Sequence, residues 1–108
     1  MRAAFVAGGW LWAAAIVFLS LTPHPPQIDV EHGDKLGHLL SYGLLMLWFC
    51  FLYRAPTTRL GYGALWIAMG VALEFAQGAT DYRSFEFADM AADSLGVLLA
   101  WGLATLRR

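Results

Sequence analysis

A chain of 108 residues with 59% hydrophobic and 14% charged residues cannot hide its apolar surface in water, because a domain this small buries only a modest fraction of its area. The formal net charge of −1, without a basic patch or a recognition motif, leaves nucleic-acid binding unsupported. The length allows one domain, and the lone Cys50 has no second cysteine for an intramolecular disulfide.

The apolar residues fall into four runs, 3–21, 36–53, 60–77 and 88–106. Each spans about 18 residues, or ~27 Å of helix, close to the ~30 Å of a bilayer's hydrocarbon. None carries a polar face along its whole length, as a helix bundle in water requires. The expected fold is all-α, a polytopic integral membrane protein of four transmembrane helices with short loops, forming one domain over 1–108.

The first run holds no ionisable group. Trp10 and Trp12 sit in its middle and read as packing or lipid-facing bulk, so the run is an anchor. A secretory signal peptide is the competing reading of residues 1–21, but Ser20-Leu21-Thr22-Pro23 lacks a small-x-small cleavage pattern. Pro23, Pro25 and Pro26 must end the helix, since proline lacks a backbone donor and biases its predecessor to extended geometry. His24 and His32 in the following loop match no compact metal spacing and read as solvated.

The second run opens with Asp34-Lys35-Leu36-Gly37-His38. Asp34 is expected as its N-cap. Lys35, His38 and Tyr42 share one helix face, which continues inward as Leu45 and Phe49. A satisfied interfacial histidine is the bland reading of His38; the shared face with Lys35 keeps a functional one open.

In the third run Glu74 shares a face with Gly63, Ile67, Gly70, Gln77 and Gly78, while Ala64, Ala68, Ala72 and Ala76 form an opposite ridge. Small residues let helix backbones approach closely in lipid, so this helix is expected to be enclosed by neighbours on two sides. The fourth run places Asp89 and Asp93 one turn apart, on a face that continues as Gly96, Ala100 and Ala104. Apposed to the third helix, it would form a shallow polar cup.

Depth sharpens this expectation. If the helices alternate, the polar ends of runs two, three and four reach the same leaflet. The stretch 74–96 alone carries five of the chain's eight acidic residues. Burying such groups costs several kcal/mol unless they are paired or wet. Arg83 is the only arginine of the outer loops and is expected to be a counter-ion or ligand anchor. The candidate cluster, binding or structural, is therefore Asp34, Lys35, His38, Tyr42, Glu74, Gln77, Arg83, Asp89 and Asp93. Arg2, Arg54, Arg59, Arg107 and Arg108 fall on the other side. By the positive-inside rule both termini are expected in the cytoplasm.

The combination Asp34-Lys35-x-x-His38-x-x-x-Tyr42, Glu74-x-x-Gln77 and Arg83-x-Phe85-x-x-x-Asp89-x-x-x-Asp93-x-x-Gly96 resembles the VanZ-like family of small bacterial membrane proteins. The resemblance covers about residues 30–100. Its founding member is associated with teicoplanin resistance in gram-positive bacteria. The family usually has Asn where this chain has Asp93, which weakens any role that needs a neutral amide there. The resemblance implies a bacterial cytoplasmic membrane, a place in the cell envelope and a link to glycopeptide antibiotic resistance.

Three functions compete. The first is a non-enzymatic envelope protein whose outward cup binds a lipid head group, a cell-wall precursor or a protein partner. The second is an enzyme acting on a lipid-linked envelope substrate, with one of the crowded carboxylates as general acid or base. It lacks a nucleophile motif and a metal-ligand spacing. A coupled transporter ranks last, because the inner halves of helices two to four are apolar. Catalytic residues stay unassigned, no cofactor or metal is expected, the lipid bilayer is the expected surrounding, and an oligomer stays open.

Overall fold

The computed structural model describes residues 2–22, 33–80 and 87–107, without the side chains at 33, 34 and 107. Among these residues the chain forms α1 (Arg2–Leu21), α2 (Gly33–Leu52), α3 (Pro56–Gly78) and α4 (Phe87–Arg107), with no strand. All four are long and apolar enough to cross a membrane. The fold is thus the all-α, polytopic membrane architecture that the apolar runs imply.

The helix ends follow local chemistry more closely than hydrophobicity. α3 starts at Pro56, four residues before its apolar run. Ala55 is extended at φ −61° and ψ 128°, and Pro56 opens the first turn, where a missing N–H costs nothing. α2 ends against the same turn. Arg59 donates from Nε to the Tyr53 carbonyl and from Nη2 to the Cys50 carbonyl, both at 2.8 Å. A guanidinium at this position satisfies carbonyls that the helix end leaves unpaired and complements its dipole. The expectation of Asp34 as an N-cap is corrected: α2 begins at Gly33, so Asp34 lies inside the first turn.

α2 is the central helix. It touches α1, α3 and α4, and α3 also touches α1 and α4, whereas α1 and α4 do not meet among the described residues. The buried face of α2, Tyr42, Leu45, Met46, Phe49 and Cys50, follows the spacing of a single helical stripe. α4 lies against it through Gly96. A β-carbon on Gly96 would sit 2.3 Å from the Leu39 carbonyl oxygen, so the two backbones are in direct contact there. Ala100 and Ala104 continue the buried face.

Two expectations about small residues need correction. The face of α4 expected on α3 is shared: Asp93 meets Gly70 of α3, whereas Gly96 packs on α2. The ridge Ala64, Ala68, Ala72 and Ala76 is not enclosed either, since the first three are exposed and Ala76 is half-buried. α3 meets α1, α2 and α4 through its other face, where Gly63, Trp66, Gly70, Leu73, Glu74 and Gln77 are buried, and in lipid an exposed alanine carries no cost. Gly78, assigned to the Glu74 face, is likewise exposed. Large apolar side chains such as Leu11, Phe18, Phe51, Phe75 and Leu106 also stand outward, as a bilayer solvent permits.

The interior is divided by chemistry. At one end, α1 starts, α2 ends and α3 starts, and there Trp10, Phe49, Tyr62 and Trp66 cluster with ring centroids 4.5–6.1 Å apart. At the other end, α1 and α3 finish while α2 and α4 begin, and there the polar residues gather.

Candidate functional site

The polar end is built by one turn from each of three helices. Lys35 and His38 come from the start of α2, Asp89 and Asp93 from the start of α4, and Glu74 from the last turns of α3. Lys35 Nζ is 2.8 Å from Asp89 Oδ1. His38 Nδ1 is 2.8 Å from Asp93 Oδ1, the distance at which a ring N–H donates to a carboxylate. His38 Nε2 lies 3.8 Å from Asp89 Oδ2, so the imidazole spans the two α4 carboxylates. The i, i+4 spacing of Asp89 and Asp93 on one helix face makes this possible, with Lys35 and His38 offset by one turn opposite them.

Burial orders the groups. The Asp89 and Asp93 side chains are 8% and 4% exposed, those of Lys35 and His38 24% and 20%. The carboxylates therefore form the back of the cluster and the cationic-type donors its mouth. Gly70 of α3 supplies the space for the Asp93 carboxylate: a β-carbon there would lie 2.8 Å from Asp93 Oδ2. α3 can approach the acid only because it carries no side chain at that point.

Glu74 is buried one turn beyond Gly70 on the same face of α3. Tyr42 is buried beneath His38 on the same face of α2. Gln77 is drawn elsewhere. Its Nε2 donates to the Ser20 carbonyl at 2.6 Å and ties the end of α3 to the last turn of α1. Thr80 then closes α3, donating from its hydroxyl to the Gln77 carbonyl at 2.7 Å. The structure thus brings Lys35, His38, Asp89 and Asp93 into direct contact, lines them with Glu74 and Tyr42, and gives Gln77 a helix-tying contact. Arg83 lies outside the described residues, as does the side chain of Asp34.

Sequence reasoning did not include Gly70 or Ser20 among the site residues. Gly70 had the signal of lying one turn before Glu74 on the same face. Ser20 had none, because it acts through its backbone carbonyl. Among the described residues no group of three or more His, Cys, Asp or Glu side chains is arranged to hold a metal ion. Chemically, the cluster can offer N–H donors to an anion at its mouth, or present the Nε2 edge of a histidine held by Asp93.

Comparison with known proteins adds a family. The model of the VanZ/LLP1 family matches residues 4–108, nearly the whole chain. An uncharacterized protein of the fission yeast Schizosaccharomyces pombe is 33% identical over 78 residues, which cover 69% of this chain and 48% of that protein. The chain therefore spans about half the length of the curated relative it matches. No solved structure matches the chain.

Proposed function

The chain belongs to the VanZ/LLP1 family, and on that premise we propose that it is a non-enzymatic membrane protein whose polar end binds a phosphate-bearing lipid head group. One observation carries this reading. Lys35 and His38 stand at the mouth of the cluster, each backed by a carboxylate at 2.8 Å that holds it in place. A phosphate arriving from the membrane surface meets the Lys35 ammonium and, when His38 is protonated, its Nε2–H, the charge-assisted kind of hydrogen bond that fixes anions. Arg83, expected from the sequence as a counter-ion or ligand anchor, lies outside the described residues and is no part of this reading.

A lipid head group is favoured over a cell-wall precursor because the chain is similar to a fungal protein as well as resembling a bacterial family. Phospholipid head groups are available in either kind of membrane. The excess of arginine at the opposite end, Arg2, Arg54 and Arg59, supports an orientation with that end and both termini in the cytoplasm of a bacterial cell, and the cup outward. A cell-envelope role, including a contribution to glycopeptide resistance, is the physiological form this binding would take.

A second reading rests on the His38–Asp93 pair. A carboxylate on Nδ1 orients an imidazole so that Nε2 can exchange a proton with a substrate, as a general base requires. Reconstituting the protein in liposomes that differ only in head group, and following bound lipid and phosphorus-31 resonances together, separates the two. Binding proposes saturable, head-group-dependent retention that His38→Gln weakens, with the lipid chemically unchanged. Conversion of the lipid, abolished by His38→Gln, would replace the binding reading with the enzymatic one. Neither retention nor conversion would discard both.

A further inference from the structure

A second feature lies midway along α1 and α2, between the two helices, and shares no residue with the polar cluster. An apolar groove of about 360 Å³ runs along this helix pair, lined by Gly8, Gly9 and Trp12 of α1 and by Leu44, Trp48 and Phe51 of α2. Two indoles frame it. Trp12 Nε1 donates to the Ser41 carbonyl at 3.0 Å, and Trp48 Nε1 donates to the Phe5 carbonyl at 2.7 Å. Each tryptophan thus reaches across to the partner helix, one near either end of the groove. The floor is formed where α1 has no side chains. A β-carbon on Gly9 would lie 2.7 Å from Trp48 and Phe49 ring atoms, while one on Gly8 would meet only Trp48, at 3.7 Å.

The groove ends under arginines. Arg2 donates from Nη2 to the carbonyl of Leu52, the residue after Phe51, and its guanidinium carbon lies 5.0 Å from the centre of the Tyr53 ring. Arg54 follows and is exposed. No Asp or Glu occurs in residues 1–28, 35–73 or 94–108, so the sequence places no acidic side chain on the stretches that carry these arginines. An apolar groove about two helical turns long thus leads toward Arg2 and Arg54, both exposed.

We infer that this groove is a binding site for one anionic phospholipid of the leaflet on the α1 N-terminal side. An acyl chain lies between Trp12 and Trp48, and the phosphate lies on Arg2 and Arg54. A volume of this size is within the range of preformed ligand pockets, about 300–1,000 Å³. The occupant is anionic because both rim side chains, Arg2 and Arg54, are cationic. It must be a lipid because the remaining walls are apolar and face the bilayer.

Native mass spectrometry of the full chain, offered equimolar phosphatidylglycerol and phosphatidylcholine with identical chains, tests the site. Wild type should retain phosphatidylglycerol in preference. Arg54→Gln, at an exposed position, should reduce the preference about fivefold, and Arg2→Gln/Arg54→Gln should bring it near parity, given about 1 kcal/mol per basic residue at an anionic surface. Gly8→Leu fills the groove without touching the rim and should lower retention of both lipids. Equal retention of the two lipids by wild type, an unchanged preference in the double variant, or undiminished retention in Gly8→Leu would each overturn the site. Circular dichroism establishes that each variant keeps its helices.

Discussion

Gly70 and Asp93 share one space: the carboxylate of Asp93 occupies the position where any side chain on residue 70 would begin, 2.8 Å from its Oδ2 atom. The contact joins α3 to α4 at the depth of the polar cluster. It also explains how a buried acid fits between three helices. The missing side chain on α3 is as much a part of the site as the histidine that meets the same carboxylate from α2.

Gly70→Ala should therefore act on both stability and the site. The added carbon also meets the Asp93 β-carbon at 3.1 Å, so rotating the carboxylate alone does not relieve the clash. A loss of about 1–3 kcal/mol is expected, the usual range for overpacking. Unfolding in mixed micelles measures it, and Asp93→Ala in the same chain should restore part of the loss.

Gly96 provides a harsher contact. Its β-carbon would collide with the Leu39 carbonyl oxygen at 2.3 Å, and a carbonyl held in a helix cannot step aside. Gly96→Leu should prevent α2 and α4 from closing, at a cost of about 3 kcal/mol or more. Leu98, 52% exposed and two residues away, faces outward. Leu98→Ala should change stability by no more than about 0.5 kcal/mol, as exposed substitutions do. Comparable losses from the two would contradict the α2–α4 packing.

The pair of Lys35 and Asp89 should be coupled. Lys35→Met leaves a nearly buried carboxylate without its ammonium, which costs about 1–2 kcal/mol here, below the ~3–5 kcal/mol of a fully buried pair because Lys35 is partly exposed. Lys35→Met/Asp89→Asn removes the orphaned charge and should be more stable than Lys35→Met alone. A double-mutant cycle on unfolding midpoints reads the coupling directly.

Orientation can be read by labelling. In a Cys50→Ser background, a membrane-impermeant thiol reagent applied to intact cells should modify Asp81→Cys and spare Thr57→Cys. Thr57 lies in the first turn of α3, at the arginine-bearing end. The reverse pattern would turn the protein over in the membrane and place the cup inside.

Much of this architecture was legible because membrane helices announce themselves by length and apolarity. The grouping of Lys35, His38, Asp89 and Asp93 was legible too, since alternating helices bring those ends to one side. What spacing does not encode is the neighbour that a face will meet. Gly96 and Ala100 mark a close-packed face of α4, but nothing in their periodicity distinguishes α2 from α3 as its partner. The alanines of α3 carry the same small-residue signal, yet Ala64, Ala68 and Ala72 face outward, because lipid accepts an alanine as readily as a helix does. Contacts made to backbone carbonyls leave no trace in residue types. Gln77 on Ser20, and Trp12 and Trp48 across the α1–α2 groove, belong to this class.

On the binding reading, Lys35 and His38 receive a phosphate-bearing head group. Titration calorimetry of the chain in micelles with water-soluble short-chain phospholipids tests it, comparing wild type with Lys35→Gln/Asp89→Asn, in which no carboxylate is left orphaned. Loss of a charge-assisted hydrogen bond is worth about 1.5–3 kcal/mol, so affinity should fall by about tenfold to a hundredfold while the double variant stays folded. An affinity unchanged in that folded variant would contradict the account and leave the ion pairs a purely structural lock.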